Sequence, residues 1–286
     1  MLRPALAVAA LVLAVFLGAL QLASSAAYGD LAVRPSLPAA LHDRVPNLLR
    51  PLLGDARAQA AAAIHNGDIA SAQRLIATLP DDAQAADLRG RIAEATGNRD
   101  GAIAAYVRAG DVVRAQTLID ALARQDPARA LADQERLVAA LHDDQSAGEV
   151  TGQAWWRLGQ LQAAAGYRDA ARRRTYWQAA QTSYERALAL APNEETYLLA
   201  AGYQSLANGD AAASSRWYAH AADVVPNSAD AYAGLAWTAA ARNDCERARA
   251  NLAKARALRA SAPATETPRD PTAEPLVGPA LKRCTT

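Results

Sequence analysis

The sequence has no surplus of charge of either sign, because 30 Lys and Arg residues are balanced by 29 Asp and Glu residues, for a net charge of +1. Proteins that bind a nucleic-acid backbone need clustered positive charge, and nothing in this composition suggests that class. Familiar catalytic motifs are missing as well: there is no Gly-x-x-x-x-Gly-Lys loop, no Gly-x-Ser-x-Gly elbow and no His-Glu-x-x-His segment. The four histidines are isolated from one another, at His42, His65, His142 and His220.

These absences make a binding protein the leading interpretation. Paired carboxylates such as Asp81 and Asp82 lie at predicted helix starts, where the helix dipole favours negative charge, so they need no catalytic explanation. We therefore predict no enzyme activity, no catalytic residue, no metal site and no cofactor. The remaining enzymatic alternative is an enzyme whose site follows no familiar motif.

A long apolar run occurs at the N-terminus. After Arg3 no charged residue appears before Asp30, and the 18 residues 5–22 are strongly apolar. That length is at the lower end of what spans a bilayer, and it exceeds the apolar core of about 7–15 residues in a secretory signal. Residues 1–28 are therefore predicted to be a transmembrane anchor, or alternatively a signal cleaved at the small residues 25–27. In either case the positive N-terminus predicts that the rest of the chain is exported.

Prolines cluster on both sides of the central region. Residues 29–55 contain four prolines and residues 261–286 contain five. Proline interrupts helical hydrogen bonding and restricts the residue before it. We therefore predict a semi-extended linker over 29–55 and a tail over 261–286 that is disordered or held at only a few points.

The central region is rich in alanine and contains a repeat. Alanine accounts for 76 of the 286 residues, and because it is the best helix former, an all-α fold is predicted. The segments YERALALAPN (184–193) and YAHAADVVPN (218–227) share Tyr, Ala and Pro-Asn at an interval of 34 residues. This is the length of two antiparallel helices joined by a tight turn. One such pair cannot bury its own apolar face, so neighbouring pairs are expected to stack.

The residues before each repeated block follow a second pattern. It comprises the WWRLG segment (155–159) in the first unit, Leu198, Ala201 and Gly202 in the second, and Tyr232, Leu235 and Ala236 in the third. This Trp-x-x-Leu-Gly pattern resembles the start of a tetratricopeptide repeat. The resemblance implies three repeat units over residues 151–260, within an α-solenoid of antiparallel helix pairs. One hydrophobic N-terminal helix would precede the solenoid.

The first of the three units is longer than the second. Nine extra residues lie between Trp155 and Tyr184, with apolar residues at helical spacing, so helix B is predicted to be extended by about two and a half turns. The run Arg172, Arg173 and Arg174 falls in this extension. It is predicted to be a solvated face, with contact to acidic lipid headgroups or an acidic partner as the alternative.

Residues 56–150 are interpreted as degenerate repeats of the same kind. Gly67 and Gly97 occupy predicted turns between helices, but they are 30 residues apart rather than 34. Two further helices are predicted between residues 111 and 142. The region is therefore expected to consist of helix pairs that lack the full repeat pattern.

Only two cysteines occur, Cys245 and Cys284. In an exported chain an even number of cysteines suggests a disulfide. Such a bridge would hold the tail over the last repeat and shield the apolar face that a terminal unit leaves bare. The alternative is two free thiols.

The resemblance implies a groove, lined by the first helix of each unit, that binds an extended peptide. The residues at groove-facing places are Gln153, Trp156 and Gln160, then Thr196, Leu199 and Tyr203, then Asp230, Ala233 and Trp237. Relatives that clamp a terminal carboxylate have Asn at the places held here by Gln160, Tyr203 and Trp237, so that clamp is not expected. An aromatic groove suits an apolar or aromatic peptide. The alternative is that these rings pack within the array.

The sequence therefore predicts a scaffold tethered to a membrane, with its repeats on the extracytoplasmic side. The location suggested is a bacterial inner membrane crossed once. The expected partner is a protein or peptide in envelope assembly, secretion or polysaccharide export, and nucleic acid is not expected. The alternative is a secreted, soluble binding protein released by signal cleavage.

Overall fold

The computed structural model describes residues 55–141, 148–261, 271–276 and 278–285. Over these ranges it contains α-helices, one 3-10 turn and no strand, which confirms the predicted all-α fold. The hydrophobic helix predicted for residues 1–28 lies outside them, and within them no helix is long and apolar enough to cross a membrane. The helices are α1 (Ala56–His65), α2 (Ile69–Ala77), α3 (Ala83–Ala95), α4 (Arg99–Ala109), α5 (Val112–Ala123), α6 (Pro127–Ala140), α7 (Gly148–Arg168), α8 (Arg173–Leu190), α9 (Glu195–Ala207), α10 (Ala211–Val224), α11 (Ala229–Ala241), α12 (Cys245–Ser261) and α13 (Gly278–Thr285), with the 3-10 turn at Pro271–Ala273.

The chain divides into two compact units, Met1–Leu118 and Ile119–Thr286, and the division falls within α5. In the first unit α1 pairs with α2, and α3 pairs with α4. In the second unit α7 pairs with α8, α9 with α10 and α11 with α12, while α6 packs on α7. Consecutive pairs inside each unit are also in contact. The helix pairs within a unit therefore stack as those of an α-solenoid do.

The tight turn inside each regular helix pair depends on one residue with a left-handed backbone. This conformation is easy for glycine and tolerated by asparagine, and it reverses the chain within a few residues. The four residues are Gly67 (φ 76°), Gly97 (φ 75°), Gly209 (φ 85°) and Asn243 (φ 61°).

The residue after each of these turns begins the second helix of the pair. Its side-chain oxygen accepts a hydrogen bond from the backbone N–H three residues later, which satisfies one of the unpaired donors at the helix start. The four capping residues and their donor–acceptor distances are Asp68 (3.0 Å), Asn98 (3.0 Å), Asp210 (2.8 Å) and Asp244 (3.2 Å).

Removal of one cap is expected to have a measurable cost. The substitution Asp210→Ala should lower the free energy of unfolding by about 1 kcal/mol, because the N–H of Ala213 loses its acceptor. Urea denaturation of the full-length chain in detergent measures the change. Asp223→Ala on the exposed surface of the same helix is the control and should cause no loss. Equal losses in the two variants would contradict the capping role.

The two helices of a pair approach each other closely at a small residue of the first helix. A Cβ atom on Gly90 would lie 2.5 Å from the ring of Tyr106, and one on Gly202 would lie 3.0 Å from the ring of Tyr218. In both pairs 16 residues separate the glycine from the tyrosine. The α3–α4 pair therefore keeps the packing of the later units, although its sequence is degenerate.

The nine extra residues of the first long pair are shared between its two helices and their turn. Between Trp155 and Tyr184, compared with Leu198 to Tyr218 in the α9–α10 pair, α7 has four extra residues, the turn has one and α8 has four. The predicted extension of the second helix alone is therefore wrong. The turn between them starts at Asp169, whose carboxylate accepts hydrogen bonds from the backbone N–H of Arg172 (3.1 Å) and from its guanidinium (2.6 Å).

The C-terminal helix α13 packs onto the last helix pair. Helix α13 contacts both α11 and α12, and the side chain of Leu281 is fully buried. In the structure Cys284 is joined to Cys245 by a disulfide, with the two Cα atoms 4.8 Å apart. Arg249 donates a hydrogen bond to the carbonyl of Cys284 at 3.1 Å. Because a terminal repeat leaves an apolar face bare, α13 acts as a cap for this end of the unit.

Candidate peptide-binding groove

The predicted groove residues lie on α7, α9 and α11, the first helices of the three pairs in the second unit. The structure places five of these residues at two separate sites. Gln153, Trp156 and Thr196 line one pocket, which we call the open pocket. The rings of Tyr203 and Trp237 meet edge-on, with their centroids 6.2 Å apart, and we call this pair the covered site.

The remaining groove-facing residues serve the fold. Leu199 packs against the hydrophobic core of α8–α11, and Ala233 is buried. The side-chain oxygen of Gln160 accepts a hydrogen bond from Arg157 at 2.8 Å. The carboxylate of Asp230 pairs with Arg259 at 2.6 Å. These four side chains therefore already have structural roles.

The open pocket has a volume of about 570 Å³ and lies between α7 and α9. Apolar residues of its wall come from the end of α8, with Leu190, and from the loop that joins α8 to α9, with Pro192. Tyr197, which the sequence analysis did not select, contributes a buried ring that lies 5.8 Å from the ring of Trp156, centroid to centroid. An apolar wall with a few polar groups is typical of sites that bind part of a ligand.

The indole ring of Trp156 packs against Arg157, but its N–H group makes no hydrogen bond to a described residue. The guanidinium of Arg157 lies 4.9 Å from its ring centroid, and Arg157 in turn pairs with Asp120 at 3.2 Å. The indole N–H of Trp156 is buried and has no acceptor among the described residues. A buried donor without a partner is costly, and because this N–H is closed off from the surface, its cost falls on the fold and it is not a contact point for a ligand.

The open pocket is negatively charged. Glu149 in the first turn of α7 and Glu194 at the start of α9 both line it. Burial raises the pKa of the Tyr197 hydroxyl, and the negative charges of Glu194 and Glu149 raise it further, which places both carboxylates near one ring. Neither carboxylate has an ion pair with a Lys or Arg in the described ranges.

The covered site is occupied by the chain's own C-terminal segment. The indole N–H of Trp237 donates to the backbone carbonyl of Pro271 at 2.9 Å, and Pro271 is buried. The hydroxyl of Tyr203 donates to the carboxylate of Glu274 and accepts a hydrogen bond from Tyr167 at 3.0 Å. Burial, followed by the bond to Glu274, raises the pKa of Tyr203. Tyr203 therefore remains a neutral donor at physiological pH.

The three consecutive arginines of the long pair differ in what they contact. Arg172 pairs with Asp169 at 2.6 Å and lies over the ring of Tyr176. Arg173 donates to the carbonyl of Gly166 at 3.2 Å and lies over the ring of Trp177. Arg174 is exposed. Two of the three therefore support their own helix pair, and contact with an acidic surface stays a prediction.

The first unit has a pocket of its own that the sequence analysis missed. It has a volume of about 840 Å³ and is lined by residues of α1, α3 and the α4–α5 junction. These charged side chains form ion pairs within the first unit. Asp87 pairs with Arg91 at 2.9 Å and with Arg114 at 2.8 Å, and Arg57 pairs with Asp82. This internal pairing indicates no class of ligand. Among the described residues no group of His, Cys, Asp or Glu could hold a metal ion.

No protein-family model matches the chain, and no curated protein matches it in sequence. Among solved structures, MamA is similar at 18% identity and a TM-score of 0.47, covering 65% of this chain and 98% of MamA. The C-terminal part of a TPR repeat-containing protein from Cytophaga hutchinsonii is similar at 16% identity and a TM-score of 0.47, covering 76% and 88%. PilW, a widely conserved type IV pilus biogenesis factor, is similar at 15% identity and a TM-score of 0.43, covering 76% and 96%. At these values nothing about function is transferred from these proteins, and the assignment of helix pairs rests on the turns and packing of the chain itself.

Proposed function

We propose that the protein is a scaffold whose groove on α7, α9 and α11 binds an extended segment of a partner protein. The observation that supports this most is the covered site, where Trp237 and Tyr203 already hold residues 271–274 of the same chain. Trp237 contacts a main-chain carbonyl of this segment, and Tyr203 contacts one of its side chains. A bound segment of a partner protein could be held by the same two kinds of contact. The open pocket, one helix pair away, provides a comparable surface that no described residue of the chain fills.

We propose further that residues 1–28 tether this scaffold to a membrane and leave the repeats outside the cytoplasm. Their support is the apolar run of residues 5–22. Mass measurement of the N-terminus in the native host, together with alkaline extraction of membranes, tests the tether. An intact Met1 in the membrane pellet is expected. A soluble protein that begins near residue 28 would support the secreted alternative instead. Envelope assembly, secretion or polysaccharide export are the processes proposed for the partner.

Photo-crosslinking in cells tests the groove. A photoreactive phenylalanine analogue at Thr196, which is exposed in the open pocket, is expected to form an adduct with a partner protein. The same analogue at Glu185, exposed on α8, is the comparison and should give no adduct. Adducts of equal yield at both positions would show that the groove is not the binding surface.

A matched pair of blocking variants completes the test. Gln153→Trp should fill the open pocket from an exposed position without disturbing the core, so the adduct at Thr196 should fall to background. Gln178→Trp adds the same ring on an exposed position of α8 and should leave the adduct unchanged. Loss in both variants, or in neither, would contradict the proposal.

A further inference from the structure

We infer that residues 271–274 act as an intramolecular ligand of the covered site, and that an acidic segment of the partner binds there by displacing them. The partner segment offers the same two acceptors, a main-chain carbonyl and, three residues later, a carboxylate. The inference rests on the proposed function, because it adds the covered site to the binding surface and states what must leave before the partner enters. The sequence alone predicts an apolar or aromatic peptide instead.

The covered site selects for a carboxylate because it presents two hydrogen-bond donors. The indole N–H of Trp237 can only donate, and it meets the carbonyl of Pro271 at 2.9 Å. The hydroxyl of Tyr203 donates to Glu274. Any extended chain supplies a carbonyl, whereas only an aspartate or glutamate supplies a charged acceptor, and a hydrogen bond to a carboxylate is stronger than one between neutral groups. Both rings remain only partly buried with the segment in place, so the site lies at the surface of the groove.

The segment is not what closes the end of the helix array. That role belongs to α13, whose Leu281 and Cys284 are buried in one cluster with apolar residues of α11 and α12. In the segment itself Pro271 is buried, but Glu274 is half-buried and Leu276, two residues later, is exposed. The hydrogen bonds between the segment and the groove can therefore be lost while the cap stays in place.

The segment competes with a partner because it is held beside its site. The second carboxylate oxygen of Glu274 accepts the N–H of Leu276 at 2.8 Å, and the carbonyl of Glu274 accepts the N–H of Gly278 at 2.8 Å, which joins the segment to the start of α13. The disulfide between Cys284 and Cys245 fixes α13 to α12. A tethered ligand acts at a high effective concentration, and a site that is open for only part of the time binds a free ligand more weakly in proportion. The tail therefore raises the affinity that a partner segment needs.

Photo-crosslinking with a synthetic peptide tests this competition on the full-length protein in detergent. The peptide has the sequence of residues 271–276, PTAEPL, with a photoreactive phenylalanine analogue in place of Leu276, which is 38% exposed in the structure. At equal, sub-saturating peptide concentration, Glu274→Ala should form about ten times as much adduct on α9 and α11 as the wild type, because the tail loses its charge-assisted bond to Tyr203. The variant Cys245→Ser/Cys284→Ser, which frees α13 itself, should show a gain in the same direction.

Matched controls separate the competition from a general effect of charge. Glu135→Ala removes a negative charge from an exposed position of α6 and should leave the adduct unchanged. Tyr203→Phe in the Glu274→Ala background removes only the donor hydroxyl and should return the yield to that of the wild type. A peptide with alanine in place of its glutamate should likewise lose the gain.

Equal yields from the wild type and the two released variants, or a gain that survives Tyr203→Phe, would overturn the inference. The partner adduct at Thr196 then decides about the proposed function separately. If that adduct forms in cells, the groove binds a partner although its covered site exchanges no segment. If that adduct is absent as well, both proposals fail.

Discussion

Replacement of Tyr218 by Ala is expected to lower the free energy of unfolding by about 3–5 kcal/mol, the range for loss of a large buried ring. Tyr218 is 1% exposed. Its ring faces Gly202 of α9 on one side and Gly234 of α11 on the other, and neither position has room for a Cβ atom without movement. The ring of Trp237 lies 6.4 Å away, centroid to centroid. Removal of Tyr218 therefore opens a cavity where two consecutive helix pairs meet.

Tryptophan fluorescence during urea denaturation measures this loss. All five tryptophans lie between residues 155 and 237, so the signal reports the second unit. Tyr176→Ala is the control, because Tyr176 is only partly buried and its loss should cost under about 1 kcal/mol. Equal losses for the two tyrosines would contradict the role of Tyr218.

A second substitution checks that the cause is packing. Gly234→Ala alone should destabilise the protein by about 1–3 kcal/mol, because the added methyl group overlaps the ring of Tyr218. In the Tyr218→Ala background the same change should cost nothing, since the space has become free. Additive losses would show that the two residues do not share one packing site.

Removal of the disulfide between Cys245 and Cys284 is expected to cost about 4 kcal/mol by the chain-entropy estimate for a loop of this length. The two cysteines are 39 residues apart. The double variant Cys245→Ser/Cys284→Ser should also release α13, and with it the segment whose carbonyl accepts the hydrogen bond from Trp237. Thermal denaturation and tryptophan emission measure the two effects. The emission should shift to longer wavelength as Trp237 becomes exposed to water.

The control for this prediction is Trp237→Phe in the same double variant, which should remove the emission shift but not the loss of stability. A mass measurement without reductant on the protein isolated from its native host should find no free thiol. Two free thiols, or a double variant as stable as the wild type, would contradict the role of the tail as a covalently held cap.

The parts of the fold that repeat could be predicted from the sequence. The interval of 34 residues and a glycine at a turn are local signals, and Gly67 and Gly97, which were predicted to lie in turns, do so with a left-handed backbone. The close contact of Gly202 with Tyr218 follows from the same pattern. Such features are predictable because each depends on residues within one helix pair.

The length of the first long pair could not be predicted in the same way. Apolar residues at helical spacing continue through the insertion, which favoured one extended helix. The break is set by Asp169, which caps the turn through Arg172. An aspartate in this position is compatible with either a turn or a helix surface, so periodicity alone did not locate the break.

The division of the groove into an open pocket and a covered site could not be predicted from the sequence either. The contacts of Trp237 with Pro271 and of Tyr203 with Glu274 join residues 34 and 71 positions apart, and the tail has no repeat that would indicate its register. Glu149 and Glu194 lie outside the groove-facing places of a repeat, so the charge of the open pocket was missed. The composition of the pocket follows from how α7, α9 and the loop between α8 and α9 converge.

Hydrogen exchange of the full-length chain, with and without the partner captured at Thr196, tests the peptide-binding groove most directly. Amides of α7 and α9 around the open pocket should exchange more slowly in the complex, whereas those of α8 and α10 should be unchanged. Protection confined to α8 and α10, or no protection in either set of helices, would contradict a groove on the first helices of the pairs.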